Sequence, residues 1–156
     1  MLGERIGIEL GRYRDIDTAR QALISKGCWV HQRAEDMFRL AVASGHLGRC
    51  RIMVDVLSVA EIGFPAGASY QQICNQAAIF DLHPCHPEVA HMLRLVYREK
   101  SSSEFLWVAM RPMLNKIGNP FVFALMKGFG GPLLYCDFAY PHTWLPTEHK
   151  MVFTKF

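Results

Sequence analysis

The sequence predicts an α+β fold in a single domain over residues 1–156, with N-terminal helices packed on a C-terminal antiparallel β-meander of about five strands. Three observations predict it. Apolar residues between Ile16 and Val42 recur at helical spacing, with glycines placed where helices should end. Beyond Leu93 the chain breaks into short apolar and aromatic runs separated by turn residues, the pattern of strands that pair with their sequence neighbours. A chain of 156 residues, 51% hydrophobic and 20% charged, buries about two-thirds of its unfolded surface and needs no covalent staples.

In chain order, Ile6, Ile8 and Leu10 alternate with polar or small residues and predict a short strand over 4–10. Asp15 is placed as an N-cap, Ile16, Ala19 and Leu23 share a helical face, and Gly27 ends the helix. A second helix is expected over 30–44, with Ala34, Met37, Phe38, Ala41 and Val42 inward and Gly45 closing it. Ile52, Val54 and Val56 then favour a strand over 51–58. Ser69 and Gln72 form a capping box, flanked by Ala68 and Ile73 in the staple positions. That helix turns Ile73, Ala77 and Phe80 inward and stops before Pro84. His86-Pro87 opens a short helix, because proline suits the first helical position, and it should give way to a strand over 93–98. Further strands are expected over 105–110, 121–126, 133–140 and 150–156, with turns at 100–103, 115–120 and 128–131 and a longer loop at 141–148.

Charge and cysteine usage narrow the partners. The net charge of +3 lies in residues 1–51, with nine Lys/Arg against six Asp/Glu, whereas the remainder is balanced. Arg33 and Arg39 alternate with Glu35 and Asp36, as on a solvated helix face, so nucleic acid is not the expected partner. The five cysteines are odd in number, widely spaced and without a CxxC, and the first residues carry no apolar signal region. Free thiols in the cytoplasm are the expectation. No window approaches the ~20 apolar residues of a membrane span.

The middle of the chain resembles a known family. The run Ser58-Val59-Ala60-Glu61-Ile62-Gly63-Phe64, then Gly67-Ala68-Ser69-Tyr70 and Ile73-Cys74, is similar to a "VAELGF-GATY-xxIC" stretch. Cys85-His86-Pro87-Glu88-Val89 and Leu93-Arg94-Leu95 follow the pattern "LCPAEVGPQLRLQY", and Leu106-Trp107-Val108-Ala109-Met110 and Pro120-Phe121-Val122-Phe123 resemble its strand-rich tail. These patterns belong to a family of short bacterial proteins, often seen in metagenomic sequence, of unknown function. The resemblance spans about residues 12–156 and is strongest over 58–123. It implies a complete single-domain protein and lends no activity. The family stretch has no histidine where this chain has His83, His86 and His91, so the resemblance implies no metal site through them.

Candidate chemistry gathers at two places. Cys85 lies just before a helix whose dipole would lower a thiol pKa, and His86, His91 or a more distant His142 or His149 could act as its base. Free cysteine is nevertheless among the most buried residue types, and a buried, inert thiol is the expected case. Glu88 and Arg94 form the polar pair of the same segment, facing one another only if the helix breaks near Met92. His83, Cys85, His86 and His91 are dense in ligand types, yet adjacent or badly spaced for zinc, so no metal is expected. The second place is the loop holding His142, Trp144 and His149, where an aromatic anchor would meet a partner. Asp137, between Tyr135 and Phe138 on a strand, is expected to face solvent. Dinucleotide, phosphate-loop, nucleophile-elbow and HExxH signatures are absent from the sequence.

The expected function is that of a small cytoplasmic, non-catalytic binding or regulatory domain acting through a protein partner, without a cofactor. The alternatives are a Cys/His-dependent hydrolase or transferase and a weak nucleic-acid binder acting through the basic N-terminal half.

Overall fold

The computed structural model describes residues 3–155, so Phe156, the last residue of the final expected strand, lies outside the described residues. The architecture corrects the expected fold class. It is a large curled sheet of nine strands, mixed rather than antiparallel, with five short helices distributed along the chain. Strand β1 (Glu4–Leu10) precedes the helices α1 (Ile16–Ser25) and α2 (Glu35–Ala43), and the two-residue β2 (Trp29–Val30) and a short 3-10 turn separate those helices. After β3 (Cys50–Ser58) come α3 (Val59–Ile62), β4 (Ala68–Ser69), α4 (Tyr70–Ile79), β5 (Leu82–His83) and α5 (Glu88–Val96). The remaining strands are β6 (Leu106–Val108), β7 (Met113–Leu114), β8 (Pro120–Gly128), β9 (Gly131–Phe138), β10 (Trp144–Leu145) and β11 (Lys150–Lys155).

The strand order is β1-β3-β11-β6-β8-β9-β2, with β5 added on β11 and β7 on β8, while β10 and β4 form a separate small pair. The meander survives only as β6-β8-β9. The final strand enters the middle of the sheet, antiparallel to β3 and parallel to β6. Its Met151, Val152 and Phe153 are correspondingly buried. The edge strand β1 alternates as a half-buried surface does: Ile8 and Leu10 point into the core, and Glu9 between them is partly exposed, whereas the central β6, β8 and β11 are buried on both faces. Buried side chains from the helices and from the large sheet form one contiguous cluster.

Local signals act where the residues announced them. Asp15 accepts the Thr18 N–H at 2.8 Å, and Ser69 and Gln72 close the expected capping box. Asp81, with φ at +62°, turns the chain out of α4, and Phe80 beside it is exposed rather than inward. The expected strand at 93–98 is instead the second half of α5. This helix packs against β1, β8 and β9 and against α1 and α2, so it spans the curl from one end of the strand order towards the other. Seven consecutive residues, Glu88 to Arg94, are buried. Its polar residues Glu88, His91 and Arg94 are buried with the apolar ones, and the short apolar run from Leu93 to Tyr97, broken only by Arg94, reads like that of a core strand. No helix among the described residues is long and apolar enough to cross a membrane.

Candidate functional site

The start of α5 brings together groups from three distant stretches of chain. Glu88 is 1% exposed, yet both of its oxygens are occupied. Oε2 accepts the Gly11 N–H at 2.5 Å, at the end of β1, and Oε1 accepts the His46 N–H at 2.9 Å. The His46 ring nitrogen Nδ1 lies 2.9 Å from the same Oε1. Burial alone would raise the pKa of Glu88, but these backbone and imidazole hydrogen bonds outweigh it and hold the carboxyl below its ordinary value. Gly45 gives the carboxylate its room, because a Cβ there would stand 3.2 Å from the Glu88 carboxyl carbon.

Two further imidazoles surround it. His86 sits edge-on to His46, with ring centroids 5.1 Å apart, and its Nδ1 accepts the Glu88 N–H at 3.0 Å. Burial and the neighbouring His46 push its pKa down, so its neutral form is favoured. His91, one turn along α5, is buried edge-to-face against Phe38, and neither ring nitrogen has a hydrogen-bond partner. Burial lowers its pKa to about 4. One ligand atom from each of His46, His86 and Glu88 falls within 4.8 Å of the others. His46 had no signal in the sequence, because it reaches Glu88 across 42 positions from the loop after α2.

The other expected site residues separate. Cys85 is buried and its Sγ points at the Val152 carbonyl oxygen, 3.5 Å away. Burial drives its pKa well above the ordinary thiol value, as for a buried inert thiol and opposite to the lowering that the nucleophile alternative requires. His86, its neighbour in sequence, is engaged with Glu88. Iodoacetamide at about pH 8 is therefore expected to label exposed Cys50 in the native protein and to leave Cys85 untouched until it is unfolded. Peptide mass mapping reads this directly, and rapid native labelling of Cys85 would contradict the buried neutral thiol.

Glu88 and Arg94 do not meet, since α5 continues through both. Arg94 is fully buried and donates to Glu99 and to the carbonyl oxygens of Tyr97 and Leu133. His83 lies 2.8 Å from Asp81. The loop residues diverge as well. His142 stacks on Tyr140, Trp144 is 61% exposed on β10 and lies over Gly67, and His149 is buried against Trp107. Asp137, expected in solvent, accepts the Trp107 indole N–H at 2.9 Å.

No family model, curated protein or solved structure matches this chain. The geometry alone must therefore carry the functional reading, and it offers a second feature. Between α2 and the turn from β7 to β8 runs a groove of about 790 Å³. Leu40 faces it from α2, and Leu114 and Ile117 from the opposite bank; they are 57%, 68% and 81% exposed. Arg33, Arg39, Lys116 and Asp36 line the rim, with Arg39 paired to Glu35 at 2.9 Å. Arg33 is held in place, donating to the Tyr135 hydroxyl at 2.9 Å and lying 4.9 Å from the centre of the Phe138 ring. Of the nine cations in residues 1–51, Arg5, Arg20, Arg39 and Arg49 form ion pairs with carboxylates.

Proposed function

We propose that this protein is a non-catalytic binding module whose partner is a protein, and that the partner presents an acidic, amphipathic segment to the groove between α2 and β7. The observation that carries this reading is the exposed trio Leu40, Leu114 and Ile117 lining one groove, with Arg33 and Lys116 on its rim beside Asp36 and an Arg39 already paired with Glu35. Apolar side chains left in water around a concave surface gain most from being covered, and hydrophobic burial is worth about 25 cal/mol per Å². The rim then selects the sign of the segment that covers them and favours its approach. Arg33, already fixed by Tyr135 and the neighbouring rings, loses little freedom when a carboxylate arrives. Trp144, the anchor expected from the sequence, is exposed but belongs to the separate β4–β10 pair and is not among the residues lining this groove.

The test is a photo-crosslinking residue at position 117, followed by sequencing of the attached peptide. An acidic segment with apolar residues at helical or alternate spacing is expected. The double variant Leu40→Asp, Ile117→Asp should lower the affinity for that peptide by at least about thirtyfold, the effect of removing one interface hot spot of ~2 kcal/mol. Exposed positions of this kind change stability by only about 0.5 kcal/mol, so the variant should fold. A basic peptide, a nucleic acid or a second copy of this chain as the crosslinked species would overturn the proposal. Unchanged affinity in the double variant would do the same.

A further inference from the structure

We propose that His46, His86 and Glu88 form a binding site for a divalent cation of the zinc class. The site is separate from the groove and independent of the reading given for it. Two imidazoles and a carboxylate are the donor set that a borderline cation such as Zn²⁺ takes, with bonds of about 2.0–2.2 Å. Ligand atoms at the corners of such a tetrahedron stand ~3.3 Å apart. The His46 Nδ1–Glu88 Oε1 separation of 2.9 Å is already near that edge length, and all three ligand atoms lie within 4.8 Å of one another.

The closure needed falls on the more exposed partner, His46. Glu88 is fixed on α5 and by the Gly11 N–H, which engages Oε2 and leaves Oε1 to face His46. His46 is 39% exposed, so its ring can turn without moving the backbone. Coordination through His86 Nδ1 takes the lone pair that now accepts the Glu88 N–H, one of the first-turn amides of α5 that have no partner within the helix. The partly exposed His46 side leaves the fourth position to water.

A second observation points the same way. His91 is 1% exposed, stands one turn behind Glu88, and has both ring nitrogens unpartnered. The buried Glu88 carboxylate is met by hydrogen bonds from Gly11 and His46 and, among the described residues, by no Lys or Arg ion pair. A divalent ion bound between Glu88 and the two outer histidines supplies a cationic partner.

The full-length protein, stripped with a chelator and dialysed, should bind one equivalent of Zn²⁺ by calorimetry and melt at a higher temperature when loaded. Co²⁺ in its place should give a visible spectrum without a thiolate charge-transfer band. His46→Ala, at an exposed loop position, should fold normally, weaken Zn²⁺ binding at least ~tenfold and abolish the thermal shift. Cys50→Ser, which removes the exposed thiol, should leave binding intact. Absence of saturable one-to-one binding at micromolar Zn²⁺, full affinity in His46→Ala, or loss of binding in Cys50→Ser would each overturn the site.

Discussion

Replacing Arg94 with methionine is expected to destabilise the protein by about 3–5 kcal/mol, a large part of the ~5–15 kcal/mol that holds a domain together. The guanidinium is fully buried on α5 and makes a two-pronged ion pair with Glu99, at 2.6 and 2.9 Å. It also donates to the Tyr97 carbonyl oxygen at 2.7 Å and to Leu133 of β9 at 3.2 Å. One planar cation therefore ties the end of the central helix to the sheet. Removing it strands the Glu99 carboxylate in the interior along with two carbonyl oxygens, and an unpaired buried charge costs far more than the intact pair returns. Arg94→Lys keeps the charge but loses the fork, and should fall between wild type and Arg94→Met. Urea titrations at neutral pH measure the three stabilities. A loss under 1 kcal/mol for Arg94→Met would show that the pair does not hold α5 to the sheet.

Acid is expected to act next, through His149. Burial against Trp107 lowers its pKa to about 4, whereas an unfolded imidazole titrates near 6.5. The unfolded chain therefore binds a proton that the folded chain refuses. Stability is complete above pH ~6.5 and is lost as the pH falls towards 4, by about 2 kcal/mol at pH 5 and about 3 kcal/mol once both forms are protonated. His91 titrates in the same direction, also from about 4. Glu35, held below its ordinary value by Arg20, and Glu104, held there by Lys150 and Tyr97 against its burial, weaken the fold only at lower pH. The histidine window is thus separable from theirs. His149→Phe keeps an aromatic ring beside Trp107 and removes Nε2, which has no partner. The variant should match or exceed wild type at pH 7.5 and be clearly more stable at pH 5. Equal slopes of stability against pH for the two proteins would contradict this account.

The elements that could be read from the residues are those closed by near neighbours. The Asp15 cap, the Ser69–Gln72 box, the alternation of Ile6, Ile8 and Leu10, and the hairpin joining β8 to β9 each depend on contacts within a few positions or across one turn. Composition likewise announced a well-filled core. The candidate site was half legible. His86 stood out as a ligand type and Glu88 as half of a polar pair with Arg94, but their partner His46 lies in an unremarkable loop. Cys85 looked reactive only while its burial was unknown.

Long-range packing settled the rest. Nothing near 150–155 says that this segment will pair with β3 on one side and β6 on the other, because strand order depends on which edges remain open after the rest has docked. The same holds for α5. The run from Leu93 to Tyr97 fits a helix or a strand equally, and the choice falls to helix because the curled sheet leaves a space that a helix buried from Glu88 to Arg94 can fill. Once α5 sits there, Glu88 must find hydrogen-bond donors in the interior and Arg94 a counter-ion, and both partnerships follow from enclosure rather than from spacing.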